Sequence, residues 1–180
     1  MLSLRLKRVI SVCGTAAALM AGGATAAHAQ VHRDSACGGN NGPFLDVVYN
    51  YGKPFKGVGH VYRDWNGGTS AATSAFTNTW SGSVSSTVSA SLGVSGNWIA
   101  VEVSGEMGYS HSWSSSVTTG HTVTYKIPAK RYGNAQYGVW QDHLYLKTYY
   151  MNDGCKEYGT KYANSRINRG VGWNYWVSKS

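Results

Sequence analysis

The chain has 180 residues and a formal net charge of +8, from sixteen Lys and Arg against eight Asp and Glu. That charge favours acidic surfaces such as cell envelopes, glycans or anionic lipid, but the basic residues are scattered, which excludes a nucleic-acid-binding signature. The tightest cluster, Lys126, Lys130 and Arg131, reads as a solvated loop.

In chain order, the first predicted element is a targeting segment. MLSLRLKR is basic and free of acid, VISVCGTAAALMAGGATAA is apolar, and Ala27-His28-Ala29 fits the small-x-small pattern of a cleavage site. Residues 1–29 are therefore expected to be a secretory signal peptide, and residues 30–180 a single all-β domain in a secreted, extracellular protein. Without Arg5, Lys7 and Arg8 the formal +8 becomes +5. Two cysteines then remain, Cys37 and Cys155, and an even count in an exported chain predicts one disulfide between them. Their separation and the lack of CxxC or paired histidines exclude a zinc spacing.

Leu, Glu, Lys and Ala are sparse after the leader, whereas Tyr, Trp, Val, Thr, Ser and Gly dominate, a strand composition punctuated by turns. Strands are predicted at Phe44–Tyr51, set off by Gly42-Pro43 and Gly52, and at Gly59–Trp65, ended by Asn66-Gly67-Gly68. A Ser/Thr-rich strand starts near Ala75. From Ser81 to Ser95 the odd positions are nearly all Ser or Thr, and the even ones carry Val84, Val88, Ala90, Leu92 and Val94. After Asn97 the phase reverses, with Ile99, Val101, Val103, Met107 and Tyr109 on odd positions. Period two followed by a phase slip predicts an amphipathic hairpin turning at Gly96-Asn97. Val94 would then face Ile99, Leu92 Val101, Ala90 Val103 and Val84 Tyr109, with Trp98 at the tip. Thr122–Ile127 alternates and stops at Pro128. Tyr137–Met151 is the longest aromatic strand, turned by Asn152-Asp153-Gly154. Tyr158–Arg169 reads as polar and irregular, and GVGWNYWVSKS as a short terminal strand.

The fold class expected from this pattern is an elongated antiparallel sheet or sandwich with a long Ser/Thr-rich hairpin. Three stretches carry a resemblance: "FTNTWSGSVSSTVSASLGVSG", "NWIAVEVSGEMGYSHSWSSSVTTGHTVTYKIPA" and "YGVWQDHLYLKTYY". Together, over about residues 76–151, they resemble the pore-forming module of aerolysin-type, epsilon-toxin-like β-pore-forming proteins. The resemblance implies that Thr79–Ser91 and Ser110–Thr124 flank an insertion hairpin at Trp98–Met107. It also implies a protein that binds a target membrane or envelope, oligomerises and inserts that hairpin. Leu92, Val94, Ile99, Val101 and Val103, with Trp98 and Met107, would form the membrane-insertion surface, while Glu102 and Glu106 would face water. The partners implied are a target membrane or cell-envelope glycan and further copies of the chain, with no nucleic acid. The alternative is a non-enzymatic secreted binding or assembly subunit, such as a glycan- or envelope-binding adaptor of a larger toxin complex.

No GxSxG, HExxH, GxxxxGK[ST] or CxxC is present, so neither an enzyme, a metal nor a cofactor is expected. His60, Asp64, His111, His121 and His143 are the residues most easily cast in catalysis, but His60 and Asp64 share a face of a predicted strand and read as exposed polar residues. Glu102 and Glu106, four apart on a strand, would lie more than ~13 Å from each other, too far for a glycosidase pair. Most tyrosines and tryptophans read as core. Trp173, Tyr175 and Trp176 are the expected exposed set and the candidate binding surface.

Overall fold

The computed structural model describes residues 42–179. Two long strands, β8 (Arg131–Met151) and β9 (Glu157–Ser178), form an antiparallel hairpin that runs the length of the molecule. Asn152 closes the turn between them: its side-chain oxygen accepts the Gly154 and Lys156 N–H groups at 3.1 and 2.9 Å. Along the other edge of β8 lie β1 (Phe44–Asn50), β2 (Phe55–Gly57) and β3 (Tyr62–Asn66) in succession, completing a five-stranded antiparallel sheet. The all-β expectation holds at this level.

The polar stretch in β9 is a first correction to the sequence reading. The stretch Tyr158–Arg169, expected to be irregular, belongs to the 22-residue strand β9. Its inward residues Ala163, Ser165 and Ile167 are buried, and Tyr162, Asn164 and Arg166 between them are exposed. A strand with one wet face needs only a few small or apolar side chains on the other, so its polarity hid its period.

A second layer covers the inner face of this sheet. β4 (Ala72–Thr77) pairs with β7 (Thr122–Ile127), and β5 (Gly82–Ser85) with β6 (Ser114–Val117). Thr77 opposes Thr122 and Gly82 opposes Val117, five residues further along each arm, so both pairs share one register and form one ribbon. Asn78, 1 % exposed, bridges the gap: it exchanges backbone bonds with His121 and Gly120, and its amide donates to the Trp80 and Thr118 carbonyls. The ribbon packs Phe76, Val117, Val123 and Ile127 onto Ala135, Tyr137, Val139 and Trp173.

The other half of the inner face is covered by residues 86–113, the segment between the ribbon's arms. Here the predicted hairpin is overturned. A 3-10 turn (Ala90–Leu92) and a 12-residue helix, α1 (Gly96–Met107), stand where two strands and a Gly96-Asn97 turn were expected. Neither Leu92–Val101 nor Ala90–Val103 is a strand pair, and Val84 opposes Ser115 rather than Tyr109. The Ser95 side chain caps α1 by accepting from Trp98 N–H, and Gly108, at φ 74, ends it by donating to the Ser104 carbonyl. The physical reason is a coincidence of periods. Ile99, Val103 and Met107 recur every four residues, which satisfies both a strand face and a helix face. Val101 separates the two readings, and in the helix it is 67 % exposed.

Candidate functional site

The segment 86–113 is the place where sequence and structure diverge, and its attachments define the site. It leaves and rejoins the ribbon at one point, where Ser86 N–H donates to the Trp113 carbonyl at 2.7 Å. Its two ends are then zipped to β9. Thr87 and Arg166 exchange backbone hydrogen bonds of 2.8 and 2.7 Å, and Ser112 N–H donates to the Asn168 carbonyl at 2.9 Å. Asn168, with no exposure, holds the junction. Its N–H donates to Ser86 Oγ, its amide donates to the Val84 carbonyl, and its side-chain oxygen accepts from Gln141.

Between these ends the apolar side of the segment is core. Leu92, Ile99, Ala100 and Val103 pack on Leu144, Leu146, Ala163 and Ile167, with Val94, Trp98 and Met107 at the margin. Of the side chains expected to face lipid, Leu92, Ile99 and Val103 are buried in this structure, Val94 is half-buried and Val101 projects outward. Glu102 is half-buried on α1; Glu106 accepts the Val47 N–H of β1 at 2.9 Å, which holds the end of the helix to the sheet edge.

The strongest polar anchor lies just past α1. His111 Nε2 is 2.9 Å from Asp142 Oδ2, and neither side chain has any exposure. The Tyr109 hydroxyl donates to the same oxygen at 3.1 Å, and the Arg169 guanidinium lies 3.9 Å from Asp142 Oδ1 and 4.1 Å above the Tyr109 ring. A buried carboxylate needs such company. Arg169 reaches it because it is the unpaired residue of a β-bulge: Trp140 opposes Gly170 but Gln141 opposes Asn168. Burial, first, and then the Asp142 charge and hydrogen bond hold the Tyr109 hydroxyl above its ordinary pKa, against the opposing Arg169 charge. His111 Nδ1 lies 3.1 Å from the Tyr109 carbonyl, so neither ring nitrogen is left to activate a nucleophile. The pair is built to hold, and its partners come from a segment and a sheet remote in sequence.

The other predicted residues disperse. Trp80 donates its indole N–H to His60, whose ring packs on Tyr62, rather than His60 meeting Asp64. The three-residue binding surface is not assembled. Trp173 and Tyr175 turn inward, Tyr175 stacking on Tyr125 at 4.1 Å and donating to the Lys126 carbonyl, while Trp176 points to the opposite face at 38 % exposure. Alternation along β9 separates residue 176 from 173 and 175. Cys37 lies outside the described residues, as does the leader; Cys155 sits in the β8–β9 turn at φ 58. Sequence reasoning passed over Asp142, Asn168 and Arg169. The available signal was Asp142, a lone acid in the aromatic run YGVWQDHLYL. Among the described residues no group of three or more His, Cys, Asp or Glu side chains gathers as a metal site, and no helix is long and apolar enough to cross a membrane.

The chain matches no protein-family model and no curated protein.

Proposed function

We propose that the protein is a secreted, aerolysin-like β-pore-forming protein, and that segment 86–113 is its insertion hairpin in a stored, partly helical form. The observation that carries this reading is the ribbon register. The arms β5 and β6 stop opposite one another at Ser85 and Ser114, with segment residues of both arms still alternating in two faces. Extended at the same step, the register sets Val88 against His111, Leu92 against Met107 and Asn97 against Glu102, with the turn at Ile99-Ala100. Val88, Ala90, Leu92, Val94, Val101, Val103, Met107 and Tyr109 fall on one face, interrupted by Ser86 and His111, and Thr87, Ser89, Ser91, Glu102, Ser104 and Glu106 on the other. The composition of α1 supports storage: Ile99, Val101 and Val103 are β-branched, and Gly96 and Gly105 weaken a helix further. On a target membrane, extended copies would pair into a barrel with Val101 and Val103 toward lipid and Glu102 and Glu106 toward water.

Dye leakage from lipid vesicles, beside electron microscopy of the treated membranes, tests the reading. Val101→Lys, beside the turn of the extended hairpin, should fold normally yet weaken leakage, whereas Glu102→Gln should chiefly alter ion selectivity. Cysteines replacing Asn97 and Glu102 test the register. They are five positions apart on α1, beyond disulfide reach, but directly opposed in the extended hairpin. They should therefore cross-link only on membranes. A protein that permeabilises no bilayer, alone or with natural partners, rejects the pore.

A second reading, a non-enzymatic binding or assembly subunit, draws on the outer face of the five-stranded sheet, where Tyr49, Tyr51, Trp65, Tyr162 and Trp176 are all exposed. It predicts saturable binding without leakage.

A further inference from the structure

The outer face of the long sheet carries an arrangement that the segment does not use. Directly opposed residues of antiparallel strands share a face. Tyr145 opposes Tyr49 on β1 and Asn164 on β9, while His143 opposes Arg166. The rings form two neighbouring groups in one row of strand positions: Tyr162 stacks on Tyr145 at 5.7 Å, and Tyr51 meets Tyr49 at 4.7 Å and tilts against His143 at 4.9 Å. Tyr49, Tyr51 and Tyr162 are each at least half exposed, while the backs of the same strands bury Leu144 and Leu146 completely.

Beside this row a cleft opens, lined by Thr87, His143, Asn164, Ser165 and Arg166. Its polar groups are not used up by the fold. Asn164 and Arg166 turn their side chains to this exposed face, while Ser165 between them turns inward. The Arg166 guanidinium makes no ion pair among the described residues, whereas Lys147, the nearby cation on the same face, is held by Glu157 at 2.6 Å and by Asp46 at 3.7 Å. Among the described residues, no carboxylate lines the cleft. The site therefore offers an uncommitted, planar positive charge next to exposed phenol rings.

We infer that this cleft and the tyrosine row bind a carboxylated saccharide chain. A phenol ring presents an apolar face with a hydroxyl at its rim, which suits the C–H face and peripheral hydroxyls of a pyranose. The Asn164 amide and Thr87 hydroxyl each donate and accept, as sugar hydroxyls require. A guanidinium takes a carboxylate through two parallel hydrogen bonds. A phosphate-rich polymer would call for several cations, and this cleft is lined by one, Arg166. A lipid surface would favour apolar tips over amide and hydroxyl groups. Thr87, the second residue of segment 86–113, forms one wall, so an occupied cleft touches the stored segment where it joins β9. The inference deepens the proposed reading by naming the target chemistry, and it is read by binding alone.

The experiment is calorimetric titration of the full secreted chain with oligogalacturonate, with its methyl ester and with phosphatidylglycerol vesicles. Binding of the acid, and binding of the ester that is weaker by about ten-fold or more, is expected from loss of the paired carboxylate. Arg166→Gln should erase the difference between acid and ester, and Arg166→Lys should restore part of it. Tyr51→Ala and Tyr162→Ala should weaken both ligands. Thermal melts check that each variant folds; the backbone bonds of Arg166 to Thr87 do not depend on its side chain. Equal binding of acid and ester, no change in Arg166→Gln, or binding to the vesicles instead of the saccharide would overturn the inference. Leakage that survives such a failure leaves the pore reading standing. Saccharide binding without leakage on any membrane removes that reading and leaves the cleft.

Discussion

A carboxylate with no exposure, met by a histidine, a tyrosine and an arginine, ties segment 86–113 to the sheet. Removing one partner of a buried pair leaves the others desolvated and unpaired, which typically costs about 3–5 kcal/mol. Asp142→Ala should approach that loss in chemical denaturation, and amide exchange should rise first at residues 104–113. Asp142→Asn, which keeps the shape and one acceptor, should lose less. The raised Tyr109 pKa has a definite sign. Folding favours the protonated phenol, so its contribution is fully present below the ordinary tyrosine value and is lost as pH rises through the higher folded value. Unfolding followed above about pH 10 should show this alkaline loss, and Tyr109→Phe should remove that component of it.

Two signals in the sequence of α1 compete, and in the structure the helix prevails. The helix is kept by its caps at Ser95 and Gly108 and by burial of Ile99, Ala100 and Val103, against poor intrinsic propensity. Gly105 has open space at its Cβ position and lies inside the helix, so Gly105→Ala should stabilise the folded chain by about 0.5–1 kcal/mol. If the segment must unwind to insert, the same substitution should slow leakage, and a faster or unchanged rate would count against stored insertion. Val103→Ala, by contrast, should cost about 1–3 kcal/mol, because the cavity opens in the main core cluster. Val101→Lys should leave the melting temperature nearly unchanged, since that side chain is exposed on the helix.

The molecule has a long sheet as its frame, with a ribbon and segment 86–113 sharing one of its faces. The polar bonds that hold the segment at Thr87, Ser112, Glu106 and His111 lie at its ends and margin, and the sheet beneath it is hydrogen-bonded along its whole length. Hydrogen exchange should therefore find two levels of protection, β8 and β9 opening only with global unfolding and residues 86–113 opening earlier. The proposed disulfide from Cys37 would tie the N-terminal stretch to the β8–β9 turn. Peptide mapping under non-reducing conditions should recover the Cys37–Cys155 pair from protein produced in an oxidising compartment. Its reduction should lower stability by up to about 4–5 kcal/mol on the chain-entropy account. Two free thiols would reject it.

By itself the sequence determined the all-β class, the turn at Asn152-Asp153-Gly154 and the two-faced alternation of the ribbon's arms. Each of these is local: a period of two or a turn residue acts on its near neighbours. Three matters were left to tertiary structure. At Ile99, Val103 and Met107 a four-residue repeat fits helix and strand alike, and packing on Leu144, Leu146 and Ile167, together with the caps at Ser95 and Gly108, chose the helix. The inward turn of Trp173 and Tyr175 followed from the register of β9 on β8, which no property of the tail encodes alone. The anchor at Asp142 needed His111 and Tyr109 from the segment and Arg169 from a bulge in β9. Contacts between residues so far apart in the chain exist only once the long strands have paired and the segment has closed over them.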